Sequence, residues 1–248
     1  MNNLVCPEEE VIIYKFRPLT NKEEEAQFLQ IVLEKKLWCA SPDSVNDKKE
    51  EFTFKFDYEP STATFDLLVQ VLAKVGSTAI PPSPLSASYV ERIAEDARNL
   101  AVQVCRNTYG ISCFSLTKDD DWLWNEYGGK GNGACIEINI PDSLVGKIYH
   151  EVDYVSQKIP HIDTFLESYL FSDKAHETYR NILLTKTKKW ENEKEIRFIG
   201  KHQNITFTFE GHINKITFGS CVPSYVLEQL ESEIADYCQI NNIVIAKI

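Results

Sequence analysis

The period of the apolar positions changes several times along the chain, and each change marks an element. Residues 11–16, VIIYKF, are apolar and β-branched, which predicts an opening strand. Thr20-Asn21-Lys22-Glu23 reads as a capping box, with the Thr20 hydroxyl accepting from the Glu23 amide and Glu23 reaching back. Ala26, Leu29, Val32 and Leu33 then share a face, so a helix is predicted to about Lys36. Leu37 to Ala40 reads as a short strand that Ser41-Pro42 ends. From Ser61 to Tyr109 the period becomes helical. Phe65, Leu68, Val69 and Leu72 form one stripe, and Val90, Ile93, Ala97, Leu100, Ala101 and Val104 another, joined by Pro81-Pro82-Ser83-Pro84. Residues 61–107 hold few side chains suited to catalysis and read as a helical insertion beside a site, in the manner of a lid.

After the insertion the strand pattern returns with Ile111 to Ser115. Asp119-Asp120-Asp121 offers an N-cap and an acidic first turn to a short helix carrying Leu123, Trp124 and Tyr127. Gly128-Gly129-Lys130-Gly131-Asn132-Gly133 ends it, either as a plain connector or as a close backbone approach. Strands are predicted at 134–140, 148–155, 195–200, 205–209, 213–218 and 243–247. Helices are predicted at 162–184, with a break near Ser172-Asp173, and at 226–240. No regular βαβ rhythm is present, so the expected class is α+β, in a single domain over 1–248.

Composition narrows the function. The chain has 248 residues, a net charge of −11 and 43% hydrophobic residues, ordinary values for a globular domain. The acidic balance argues against a general nucleic-acid carrier, which needs clustered Lys and Arg. No run of about 18 apolar residues exists to span a membrane. MNNLVCPEEE lacks the basic and apolar regions of a secretion signal, and the seven cysteines form no CxxC pair. The expectation is a cytoplasmic protein with buried thiols, Cys113 among them. The histidines lie too far apart for a metal site.

Three segments carry candidate chemistry. Arg17 closes the first strand, where its planar fork suits a phosphate or carboxylate. Ser112 and Ser115 sit on a strand that otherwise reads as buried. Glu193, Glu195 and Arg197 alternate at period two and share one face if the strand begins by Glu193. An exposed edge strand would carry those charges without cost, and buried they would need partners.

These same residues resemble the bacterial "domain of unknown function 2971" family, in order along nearly the whole chain. Tyr14-Lys15-Phe16-Arg17 looks like its YKYR element, and Leu37-Trp38, Ser41-Pro42, Asn46-Asp47 and Glu50 look like its LWFSSPxxFNDPFE segment. Ser112-Cys113-Phe114-Ser115 looks like its SCFSE strand. Trp124, Tyr127 and Gly133 look like its MWSHYA…HxGxCIxF block, and Lys189-Trp190 with Glu193-Lys194-Glu195 and Arg197 like its KxxxWxxEKEWR block. Lys48 departs from the usual proline, and the glycine loop has no histidine.

The order arginine, serine, ExE is also similar to ADP-ribosyltransferases of the R-S-E kind, as is the strand–helix–strand opening, with Ile31 to Leu37 at their first-helix turn. That resemblance implies a split, mixed β-sheet and NAD as a substrate. It implies that Arg17 holds the pyrophosphate and Ser112 supports the nicotinamide-ribose pocket. Glu195 would be the catalytic glutamate and Glu193 its helper. Tyr14 with Trp124 or Tyr127 would wall the nicotinamide, and Arg197 would add positive charge. Such proteins serve as toxins or phage-defence effectors, acting on a macromolecular acceptor that the sequence does not name. Two other readings stay open. One is a non-catalytic protein-binding module. The other is a metal-dependent nuclease with Asp47, Glu193 and Glu195 as magnesium ligands and Lys194 nearby.

Overall fold

The computed structural model describes residues 9–44, 62–155 and 162–248. The first part of the chain forms β1 (Glu10–Pro18), α1 (Lys22–Glu34), β2 (Lys36–Cys39), α2 (Thr62–Lys74), α3 (Ala87–Thr108) and β3 (Gly110–Ser115). The middle forms α4 (Asp121–Glu126), β4 (Gly133–Pro141), β5 (Tyr149–Glu151), β6 (Asp153–Val155), α5 (Ile162–Leu170), α6 (Ser172–Leu184) and β7 (Thr185–Thr187). The last part forms β8 (Glu195–Gly200), β9 (Ile205–Thr208), β10 (His212–Phe218), α7 (Ser224–Ile240) and β11 (Val244–Lys247). The class is mixed α+β, as the irregular alternation of periods predicts.

A seven-stranded sheet runs β11-β10-β4-β1-β3-β8-β5, antiparallel apart from the β10–β11 pair. β4 lies between β10 and β1 and is buried on both faces over residues 133–138, Glu137 included. β1 pairs with β4 along its whole length, from Glu10↔Pro141 to Pro18↔Gly133. With β3, however, β1 shares one register pair, Tyr14↔Ser115. Past that pair the sheet is split. The edge of β3 that β1 leaves is taken by Ala40, which exchanges two backbone hydrogen bonds of 2.8 Å with Ile111. Ala40 follows directly on β2, which pairs with β9 as a separate ribbon, so β2 forms the far wall of the fork.

Two apolar cores flank the sheet. Phe28, Ile31 and Val32 of α1 and Val226, Leu230 and Ile234 of α7 pack on Ile136, Ile138 and Ile216. Leu68 of α2 and Val90 of α3 pack with Ile162, Phe165 and Leu183 against Ile111. The helical stretch is thus one part of a four-helix layer with α5 and α6.

Local boundaries moved for identifiable reasons. The α1 N-cap is Asn21, one residue past the expected Thr20, and its side chain accepts from the Glu24 amide at 3.0 Å. Glu24 closes the box by accepting from the Thr20 amide and hydroxyl at 2.8 and 2.7 Å. The helix stops at Glu34 because Lys35 turns into the left-handed region at φ 53°. The single strand expected over 148–155 is two, since the chain leaves the main sheet at Val152, and β6 then pairs with β7.

Candidate functional site

The fork between β1 and β3 opens into a cavity of about 320 Å³, within the range of small-molecule sites. β1 lines it with Tyr14, Lys15 and Arg17, β3 with Ser112 and Cys113, and the end of α4 with Tyr127. Glu193, Glu195 and Arg197 enter from β8 and the turn before it, and Lys186 from β7. Arg17, Ser112, Tyr14, Tyr127, Glu193, Glu195 and Arg197, singled out from sequence, are therefore brought together.

Trp124 is not. Leu123 and Tyr127, four apart on α4, both face the cavity, while Trp124 lies round the helix and sets its ring edge-on against Phe16 at 5.2 Å. No residue of α2 or α3 lines the cavity, so these helices do not form a lid over it among the described residues. Asn46, Asp47 and Glu50 of the expected family segment lie outside the described residues.

The acidic end of the site is a closed ion network. Glu195 is 5% exposed and Arg197 0%. Arg197 Nε donates to Glu195 Oε1 at 2.7 Å and Nη2 to Oε2 at 3.0 Å, a bidentate pair. Lys186 Nζ donates to Glu195 Oε2 at 3.0 Å and also to Glu193 Oε2. The Tyr127 hydroxyl donates to Glu193 Oε1 at 2.7 Å. Burial would raise the Glu195 carboxyl, but Arg197 and Lys186 outweigh it and hold the group well below the usual carboxylate range. Burial raises the Glu193 carboxyl, Lys186 opposes the rise and Glu195 adds to it. The two acids of the ExE pair are thus pushed in opposite directions, Glu195 toward a fixed charge and Glu193 toward a titratable one.

The exposed-edge reading of these residues is overturned, because β8 lies between β3 and β5. Nor does Glu193 belong to the strand. It ends a 3-10 turn, Lys188–Glu193, and Lys194 reverses the chain at φ 42° so that both carboxylates reach Lys186. Ser115 fastens this turn to β3, its hydroxyl donating to the Glu193 carbonyl at 2.7 Å.

At the opposite end the charges are open. Arg17 Nη2 donates to Gln27 Oε1, but its buried Nε has no partner among the described residues. Lys15 Nζ donates to the Cys113 carbonyl at 2.8 Å and meets Ser112 Oγ at 3.4 Å. Burial and the neighbouring Arg17 lower its amine from 10.5 to about 8. Burial pushes the Cys113 thiol well above its ordinary value, which leaves it a poor nucleophile.

The glycine loop supports the site without lining it. A Cβ on Gly133 would fall on the Arg17 carbonyl oxygen, and the Leu19 amide donates to the Asn132 carbonyl at 2.9 Å. The loop therefore serves as a close backbone approach that pins the end of β1, and with it Arg17.

Sequence reasoning missed Lys186 and gave Lys15 no role. Lys186 is buried in a basic run, TKTKK, that reads as a solvated face. Its signal was the threonine on either side, which fits a strand. Of the cysteines, Cys39, Cys105, Cys135 and Cys238 are buried, Cys113 is half-buried and Cys221 is exposed, against the expectation of burial throughout. Cys6 lies outside the described residues. No group of three or more His, Cys, Asp or Glu is placed to hold a metal among the described residues, and no helix there is long and apolar enough to cross a membrane. Comparison with protein-family models, curated proteins and solved structures finds no match to the chain.

Proposed function

We propose that the β1–β3 fork binds NAD and that the protein is an ADP-ribosyltransferase or NAD glycohydrolase. One observation carries the reading: Arg17, Ser112 and Glu195, far apart in sequence, line a single cavity where an antiparallel sheet splits. The resemblance of the chain to R-S-E transferases supports the same assignment.

The residues suit the chemistry. The bond between nicotinamide and ribose breaks with its electron pair leaving on the nicotinamide nitrogen, through an oxocarbenium-like state. An ionised Glu195 beside the anomeric carbon would stabilise that positive charge. Water or an acceptor nucleophile then adds to the anomeric carbon and gives up a proton, and Glu193, raised by burial, is suited to take it. Arg17 Nε offers an unused donor to the pyrophosphate.

The saturation of Glu195 by Arg197 and Lys186 favours a second reading, a binding module in which the network only holds the fork open. By the same token, the carboxylates of Glu193 and Glu195 already hold cations where a nuclease would place magnesium. Chromatographic measurement of nicotinamide released from NAD separates the readings. Release that Glu195→Gln and Arg17→Ala each abolish, in variants verified as folded by thermal melts, supports catalysis. No release, or release indifferent to both substitutions, would sink it.

A further inference from the structure

We propose that Lys15 is a second anion-binding residue of the fork, and that Lys15 and Arg17 together select ligands carrying a diphosphate. The proposal deepens the nucleotide reading of this cavity and rests on it.

Five cationic side chains line the cavity: Lys15, Arg17, Lys36, Lys186 and Arg197, of which Lys36 is paired with Glu34 at 2.7 Å. Lys186 and Arg197 are matched by Glu193 and Glu195 in the closed network. Neither Lys15 nor Arg17 is paired with a carboxylate among the described residues. Lys15 has only neutral acceptors, the Cys113 carbonyl and Ser112 Oγ, with the Phe114 ring 5.1 Å below its Nζ. Arg17 has the Gln27 amide and an empty Nε.

Strand geometry makes the two cations a unit. Positions 15 and 17 project to one face of β1, at the very stretch where β3 has parted from it. Like charges held that close, and partly out of water, repel unless an anion lies between them. A dinucleotide diphosphate carries one negative charge on each phosphoryl group, which two adjacent cations match. Arg17 supplies a directional fork and Lys15 a compact point charge beside Ser112. Lys15 would then set how deeply the diphosphate sits relative to Glu195.

The groups facing Lys15 make its titration readable. They are Arg17 on β1, Cys113 on β3, Glu195 on β8 and Cys39 on β2. Burial pushes Cys39 up to about 11 and Cys113 well above its ordinary value, while Glu195 stays ionised. Lys15 is therefore the member of this group that changes charge near pH 8.

The test is calorimetric titration with ADP-ribose and with adenosine, using the full chain. ADP-ribose has no group of its own ionising near pH 8, so any change there belongs to the protein. The expected result is that wild type binds ADP-ribose in preference to adenosine and that Lys15→Met weakens ADP-ribose about tenfold to a hundredfold, the range for one charge-assisted hydrogen bond. Wild-type affinity should fall between pH 7.5 and 9, and Lys15→Arg, permanently charged, should bind without that fall. The Lys15→Arg profile keeps the test valid even if Lys15→Met folds poorly. Unchanged ADP-ribose affinity in Lys15→Met, or the same pH profile in wild type and Lys15→Arg, overturns the role of Lys15. Failure of ADP-ribose to bind also overturns it. The NAD reading is judged separately by nicotinamide release, so binding through Lys15 without turnover would uphold this proposal and refute that one.

Discussion

Arg197 and Glu195, two residues apart on one face of β8, form a bidentate pair with the guanidinium fully buried, Nε 2.7 Å from Oε1 and Nη2 3.0 Å from Oε2. Arg197 Nη1 also donates to the Leu183 carbonyl, which ties the pair to the end of α6. A pair this deep gains little over apolar residues of the same shape, but breaking it strands a charge. Arg197→Met is therefore expected to destabilise the protein by about 3–5 kcal/mol. The double variant Arg197→Met/Glu195→Leu should lose clearly less than the sum of the single variants. Urea denaturation curves measure both, and strict additivity would contradict the pairing.

Lys15 gives the stability a pH signature. Its folded value, about 8, lies below its ordinary 10.5, so between those limits the unfolded chain binds the proton more strongly. Its contribution to stability therefore rises as pH climbs from about 8 to 10.5, and below 8 the buried charge is a constant cost. Lys15→Met should compare more favourably with wild type at pH 7 than at pH 10. Paired urea titrations at the two pH values test this, since the other titrating groups cancel between the proteins. An equal difference at both would show that Lys15 is not desolvated.

Much of this site was legible because strands write their faces at period two. Glu195 and Arg197 were placed on one face from spacing alone, and Ser112 was placed on a buried strand from its apolar neighbours. Their burial was not legible, since period two is the same for an edge strand as for one enclosed between β3 and β5. That depends on long-range pairing. Glu193 reached the site by a different route from the one spacing suggested, because the left-handed turn at Lys194 is a backbone feature that lysine does not advertise. Lys186 was hidden for a related reason: among several neighbouring lysines, only the tertiary position of β7 selects the one that is buried. The fork itself follows from a missing register between β1 and β3, and no local pattern records a missing pair.

Tyr127 tunes the second acid. Its hydroxyl donates to Glu193 Oε1 at 2.7 Å and so favours the ionised carboxylate, against the upward push of burial. Tyr127→Phe removes that donor and should cost about 1.5–3 kcal/mol of stability, the range for a hydrogen bond to a charged group. It should also raise the Glu193 carboxyl further. If Glu193 takes the acceptor proton, the acid limb of the pH–rate profile moves to higher pH in this variant. A lower rate with an unmoved limb would assign that limb to another group.

Gly133 offers a test of how Arg17 is held. A Cβ there would overlap the carbonyl oxygens of Arg17 and Gly128, and both are backbone atoms that cannot swing aside. Gly133→Ala should therefore displace the end of β1 and cost about 1–3 kcal/mol, the usual penalty of overpacking. Gly146→Ala is the matched control. It has open space around its Cβ position and a positive φ of 78°, so it carries backbone strain alone, on the order of 1 kcal/mol, and it does not line the cavity. If the glycine loop positions Arg17, Gly133→Ala weakens ADP-ribose binding about tenfold under conditions where it is fully folded, while Gly146→Ala binds as wild type does. Equal affinity in the two variants would mean that Arg17 reaches its ligand wherever the end of β1 lies, and that the loop acts on stability alone.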